Sequence, residues 1–145
     1  MTIRLVLAAT LTLLAVAAGA KEAVFSTGDG AIRGYDPVAY FQQGKPVRGS
    51  DAHTVSWNGA TWHFQSVATQ AAFQADPDRY APQYGGYCAW AVANDYTAST
   101  DPDAWAIVDG KLYLNYSAGI QRRWQGDVPG NIKKADRNWP GVLSK

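Results

Sequence analysis

Two short segments built around two-residue turns constrain the fold more than any other feature. Asn58-Gly59 separates residues 53–57 from 60–64, and Asp109-Gly110 separates residues 105–108 from 111–114. Both dipeptides favour tight hairpin turns, because both turn positions tolerate positive φ. Each flanking stretch alternates between apolar and polar residues, which is typical of a half-buried strand. The sequence therefore predicts two β-hairpins.

A two-residue turn also fixes the register of each hairpin, and hence its buried face. The predicted pairs of the first hairpin are Trp57 with Ala60, Val55 with Trp62, and His53 with Phe64. These six residues share an apolar face, while His63 falls on the polar face and is expected at the surface. The apolar face of the second hairpin is predicted to comprise Trp105, Ile107, Leu112 and Leu114.

Capping residues predict several short helices around these hairpins. Ser66 precedes a helix over 67–75, with Val67, Ala71, Ala72 and Phe73 expected on its buried side, and Ser117 precedes one that ends at Gln125. Further helices are predicted over 86–93 and 131–138, and loops over 21–34 and 42–52. The predicted fold class is α+β: a small antiparallel sheet of hairpins packed against several short helices.

Residues 1–20 have the three parts of a secretory signal peptide. Arg4 lies in the first part, residues 5–18 are apolar, and Ala18-Gly19-Ala20 fits a cleavage site. The expected organisation is a signal peptide at 1–20, a lead-in at 21–34 and one domain at 35–140. The expected location is periplasmic or secreted, with a retained N-terminal anchor as the alternative.

Charge argues against two classes of partner. Arg4 is the only charged residue of 1–20, so cleavage lowers the formal net charge from +1 to zero. A nucleic-acid-binding domain usually has a clear basic excess, and polybasic membrane attachment needs clustered lysine and arginine. We therefore expect neither nucleic-acid binding nor, after cleavage, membrane attachment.

Cys88 is the single cysteine, and Met1 is the single methionine. An exported chain with one thiol has no internal disulfide, so Cys88 is either buried and inert, bound to a metal, or reactive toward a partner. A Cys-x-x-Cys oxidoreductase is excluded, because the resolving cysteine is absent. Gly85 and Gly86 precede the thiol; they would admit a ligand or partner close to the backbone, and the start of the predicted helix would lower the thiol pKa.

Several motifs resemble those of one family. They are Gly34-Tyr35-Asp36-Pro37-Val38-Ala39-Tyr40-Phe41, then Phe73-x-x-Asp76-Pro77-x-x-Tyr80-Ala81-Pro82, Tyr84-Gly85-Gly86-Tyr87-Cys88-Ala89, residues 101–115, and Ala135-Asp136-x-x-Trp139-Pro140. With them the chain resembles exported, single-domain members of the YHS-domain family. That resemblance implies a small α+β fold and a link to metals. Some exported members look as if they carry selenocysteine at the position of Cys88, which implies redox or metal chemistry.

The candidate site is centred on Cys88. The metal hypothesis adds His53 and Asp36 as ligands, with copper, zinc or iron as the cofactor; the redox hypothesis needs a protein or small-thiol partner. The expected pocket comprises Tyr84, Gly85, Gly86, Tyr87 and Tyr35. We expect a binding module more than an enzyme. The alternative is a structural or protein-interaction domain whose cysteine is buried and inert.

Overall fold

The computed structural model describes residues 20–145, and it confirms the α+β class with six helices and three two-stranded antiparallel sheets. The predicted leader lies outside these residues, apart from Ala20. The strands are β1 (Ser26–Thr27), β2 (Gly30–Ala31), β3 (Ser50–Trp57), β4 (Ala60–Phe64), β5 (Trp105–Val108) and β6 (Lys111–Leu114). The helices are α1 (Pro37–Gln42), α2 (Val67–Ala75), α3 (Pro77–Tyr80), α4 (Ala89–Ala93), α5 (Ala118–Gln125) and α6 (Val128–Asn138).

Both predicted hairpins form, and both turns have the expected positive φ values: 51° and 76° in the first turn, and 50° and 74° in the second. In β3–β4, Trp57 pairs with Ala60 and Val55 with Trp62, as predicted. The predicted pair of His53 with Phe64 is wrong, because the register shifts and Phe64 pairs with Ser50 instead. The shift leaves His53 in an irregular part of β3.

The β5–β6 hairpin has the predicted register, but it is covered on both faces. Leu112 and Leu114 are buried in one hydrophobic cluster, while Tyr113, on the opposite face, is buried in another. Ile107 remains exposed, contrary to its expected burial. The hairpins also stay separate two-stranded sheets and do not pair into one. Each contributes one strand pair to the core of the domain.

The two serine caps are confirmed. The Ser66 hydroxyl accepts a hydrogen bond from Thr69 N (3.2 Å) at α2, and the Ser117 hydroxyl accepts one from Ile120 N (3.1 Å) at α5. Phe73 is fully buried, but Val67 and Ala71 are exposed, so the predicted buried side of α2 is wrong at those two residues. Thr69 is buried there instead.

Two other segments differ from the prediction. The helix expected over 86–93 is divided: a 3₁₀ turn covers Gln83–Gly86, and α4 begins only at Ala89. Residues 21–34 are not simply a loop, because they contain β1 and β2, and Val24 and Ile32 are buried in the core. The last helix begins at Val128, earlier than predicted, because Asp127 caps it by accepting from Gly130 N.

The core consists of two hydrophobic clusters. The first surrounds Phe73, whose ring lies 5.1–5.6 Å from those of Trp57, Trp62 and Phe64. The second surrounds Trp124 and packs β5–β6 against α4 and α6. Within residues 20–145, every helix is too short or too polar to cross a membrane.

Candidate functional site

Cys88 lies immediately before α4, with 1% of its surface exposed. Although Cys88 is buried, it belongs to neither of the two hydrophobic clusters of residues 20–145. Its Sγ faces polar groups instead: Tyr116 N donates to Sγ at 3.3 Å, and Sγ lies 3.5 Å from the Asn115 Oδ1 acceptor. The thiol is thus buried among hydrogen-bonding groups, which a cysteine that only fills space does not require.

Two opposing effects act on the pKa of the Cys88 thiol. Burial raises it above its ordinary value, since desolvation disfavours the thiolate. The backbone amides of Ala91, Tyr116 and Trp90 lower it, and burial is the larger effect. The resting form at neutral pH is therefore the protonated thiol, although its surroundings can stabilise a negative charge. Burial therefore outweighs the lowering of the thiol pKa that was expected from the start of the helix.

Asn115 is the polar side chain that accepts a hydrogen bond from the thiol. Its Oδ1 accepts a hydrogen bond from Trp90 N at 3.0 Å, and this donor fixes which end of the amide carries the oxygen. Asn115 is 1% exposed, and its Nδ2 has no hydrogen-bond partner in residues 20–145. Leaving a buried amide donor without a partner costs about 1–3 kcal/mol. The amide that contacts the thiol through Oδ1 therefore has an N–H donor that no described residue satisfies.

Residues 96–100 form a flanking segment along the backbone of residues 86–91. The segment has no regular secondary structure, and Ala98 O accepts from Cys88 N at 3.0 Å. The Thr100 hydroxyl donates to Gly86 O at 2.9 Å, and Tyr96 N donates to Ala91 O at 3.1 Å. A shallow surface depression is lined by Ser99, Thr100 and Tyr116, the residue whose backbone N–H contacts the thiol.

Asp36, one of the three expected metal ligands, has a structural role. It is fully buried, and its Oδ1 accepts from Val38 N (2.9 Å) and Ala39 N (3.3 Å), which caps α1. Its Oδ2 accepts from Gln65 N at 3.0 Å, which ties α1 to the end of the first hairpin. Three backbone donors thus occupy the carboxylate.

The histidines do not complete a metal site either. Across residues 20–145, no group of three or more His, Cys, Asp and Glu side chains is placed to hold a metal ion. Cys88, His53 and Asp36 are therefore not brought together, and the residues present do not fit the expected ion. His63 is not the surface residue that was predicted, since its side chain is 14% exposed, with Nε2 3.6 Å from Asp51 Oδ1.

The glycine pair before Cys88 is explained by packing within the chain. Gly85 (φ 61°) lies so close to Ala23 O that a Cβ would approach it to 1.9 Å. A Cβ on Gly86 (φ 83°) would lie 2.4 Å from Ile32 Cγ2. The space that these glycines were expected to offer a ligand is taken by residues 23–32.

The aromatic residues expected around the thiol are dispersed. Tyr35 lies beneath the Arg48 guanidinium, which is 5.6 Å from its ring centroid. Tyr87 packs between Phe25 and Trp139 and donates its hydroxyl to the backbone. None of the five principal pockets of residues 20–145 is lined by Cys88.

Tyr84 and Gly85 do line a pocket of about 410 Å³, but one that lies apart from the thiol. Tyr84 has a left-handed backbone (φ 58°), and its hydroxyl donates to Asp136 Oδ1 at 2.9 Å. Burial, followed by the hydrogen bond to Asp136, raises the pKa of Tyr84 well above its ordinary range. A non-glycine residue in this conformation is costly and often marks a functional position.

Comparison of the chain with protein-family models, curated proteins and solved structures finds no match. The YHS resemblance therefore stays a prediction from the motifs. Sequence reasoning missed Asn115 as a neighbour of the thiol, because 27 residues separate it from Cys88. The only available signal was that Asn115 ends one of the recognised motifs.

Proposed function

We propose that the mature chain is an exported YHS-type binding module that forms a reversible mixed disulfide, through Cys88, with a partner that carries a disulfide. The observation that carries this proposal is the polar setting of a buried thiol: an amide N–H at 3.3 Å and an adjacent buried donor, Asn115 Nδ2, with no partner in residues 20–145. An inert core cysteine needs neither group.

The burial of Cys88 makes it a gated thiol in this proposal, which means that it would react only when the closed form described above opens. In that form the thiol is protonated and buried, so reaction requires a local opening, and the flanking segment is the part that would move away from residues 86–91. That segment lies outside both hydrophobic clusters. Four hydrogen bonds hold it to described residues: those to Cys88, Gly86 and Ala91, and one from Arg33 Nε to Thr100 O at 2.9 Å. We therefore infer that its opening costs less than global unfolding. Opening would hydrate Sγ, remove the desolvation penalty and lower the thiol pKa.

The chemical step is thiol–disulfide exchange. The Cys88 thiolate attacks one sulfur of a small or protein disulfide, and a new S–S bond to Sγ forms as the partner's S–S bond breaks. The departing thiolate takes up the proton that Cys88 has released. A second thiol reverses the link, because the chain has no resolving cysteine of its own. Asn115 Nδ2 would donate to an acceptor atom of the bound adduct.

The second candidate is a structural or interaction domain whose cysteine is inert. The burial of Cys88 and its raised thiol pKa favour this candidate, since both slow any reaction of the closed form. The two candidates predict different outcomes when the native protein is mixed with a disulfide: the first predicts that Cys88 is modified, and the second predicts that it is not.

Native mass spectrometry of the mature protein, purified from its own compartment without reductant or chelator, tests the proposal. We expect a thiol adduct that reductant removes and that a folded Cys88→Ser variant lacks. Purified wild-type protein should acquire the same modification from oxidised glutathione without unfolding. A bare thiol in both experiments would favour the inert-cysteine alternative, and a metal mass lost in Cys88→Ser would restore the metal hypothesis.

A further inference from the structure

The pocket beside Tyr84 lies where the two hydrophobic clusters meet. Val24 and Trp62 reach it from the first cluster, and Tyr84 and Trp139 reach it from the second. Its volume of about 410 Å³ lies within the range of about 300–1,000 Å³ that is typical of small-molecule sites. Cys88 does not line it, so this site is independent of the proposed thiol chemistry.

Two half-buried indole rings flank the pocket from different parts of the chain. Trp57 comes from the end of β3, and Trp139 from just beyond α6, where its ring lies 6.1 Å from that of Tyr84. The three cation–π pairs of residues 20–145 use the rings of Phe25, Tyr35 and Tyr80. No guanidinium of the described chain therefore engages either indole, and indole is the ring that binds cations best.

The charges around the pocket favour a cation. Asp78 and Asp136 line it with Lys111, which gives a formal charge of −1. Neither carboxylate forms an ion pair with Lys111, because the salt bridges of residues 20–145 involve other groups. The Tyr84 hydroxyl donates to Asp136 Oδ1, whereas Asp136 Oδ2 has no hydrogen bond within residues 20–145.

We propose that this pocket binds a small organic cation of the quaternary ammonium class. Trp57, which also packs on Phe73, and Trp139, which also packs on Tyr84 and Tyr87, would provide the ring surface that lines the pocket. Asp78 and Asp136 would provide the balancing negative charge. A methylated ammonium suits this combination, because it is weakly hydrated and is attracted to both carboxylates and indoles. A neutral molecule of the same shape would lose both attractions.

The test compares choline with its uncharged isostere, 3,3-dimethylbutan-1-ol, by NMR titration of the indole N–H signals of the mature protein. We expect choline to shift the signals of Trp57 and Trp139 saturably, and the isostere to bind at least about tenfold more weakly. Asp78→Asn should weaken choline binding about fivefold, as expected for one charge pair about 4 Å apart in water. Asp78 is exposed, so this variant should fold normally.

Asp103→Asn is the matched control, because it removes an exposed carboxylate that does not line the pocket and should leave the affinity unchanged. Cys88→Ser should also bind choline normally, which separates this proposal from the thiol proposal. Equal binding of choline and the isostere, preferential binding of a neutral sugar such as glucose, or no saturable shift would each overturn the cation site.

Discussion

Replacing Asp36 with alanine should lower the free energy of unfolding by about 3 kcal/mol. Loss of the α1 cap, which serves Val38 N and Ala39 N, should cost about 1 kcal/mol. Gln65 N would also lose its acceptor, and an orphaned donor in a partly buried position should cost about 2 kcal/mol more. The carboxylate thus joins two elements, unlike an ordinary cap.

Urea denaturation followed by circular dichroism measures this loss, with Ser117→Ala as the control. Ser117 caps α5 through one hydrogen bond, to Ile120 N, so its removal should cost only about 1 kcal/mol. Asp36→Ala should leave the reaction of Cys88 with oxidised glutathione intact in the folded fraction. Equal losses in the two variants would refute the two-element role of Asp36. Loss of Cys88 chemistry without loss of stability would show that the carboxylate belongs to the site.

Two further predictions concern the glycine pair and a buried tyrosine. Gly85→Ala should cost at least about 3 kcal/mol in thermal or urea unfolding, because its Cβ would lie 1.9 Å from Ala23 O; Gly44→Ala, at φ 66° with no atom within 4 Å, should cost only about 1 kcal/mol. Equal costs would mean that the positive φ, and not the contact with Ala23, is what requires glycine at residue 85. Stability should also fall as pH rises above about 10. There the unfolded chain loses the Tyr84 phenol proton, whereas the folded chain, in which the pKa of Tyr84 is raised, retains it. The contribution of Tyr84 is fully present below the unfolded-state pKa of about 10. Tyr84→Phe should weaken the alkaline loss in urea titrations at pH 9 and 11, and an unchanged pH dependence would contradict the assignment.

The parts of the fold that the sequence could predict are those determined locally. The two hairpin turns and the caps at Ser66 and Ser117 each depend on a few neighbouring residues, and all four are confirmed. The alternation of apolar and polar residues predicts the correct register wherever the strands stay regular. Local signals of this kind operate without knowledge of the remaining chain.

The wrong predictions depend on distant parts of the chain. Phe64 pairs with Ser50, and no feature near His53 signals the irregularity that displaces it. Residues 21–34 look like a loop by composition, yet Val24 and Ile32 are buried because other elements cover them. The predicted 86–93 helix is interrupted because Gly85 and Gly86 adopt positive φ where residues 23–32 pack against them.

The candidate site could be predicted only in part. Its centre, Cys88, followed from the uniqueness of the thiol, and the motif placed Tyr84 beside a pocket, although a different pocket from the one expected. The amide of Asn115 could not have been assigned, because its contact with Cys88 depends on how β6 and α4 meet. Asp36 was expected as a ligand, but an Asp-Pro pair also suits the start of a helix, and capping α1 is the role that Asp36 has here.

The most direct test of a gated Cys88 is the rate at which iodoacetamide modifies it as urea increases below the unfolding transition. Compared with the unfolded thiol, this rate gives the free energy of the opening that exposes Sγ. If residues 96–100 move while the rest stays folded, we expect the free energy of opening to lie at least about 2 kcal/mol below that of global unfolding. The opening should also depend much less on urea than global unfolding does. An opening energy and urea slope equal to those of global unfolding would contradict the gated thiol and leave Cys88 an inert part of the core.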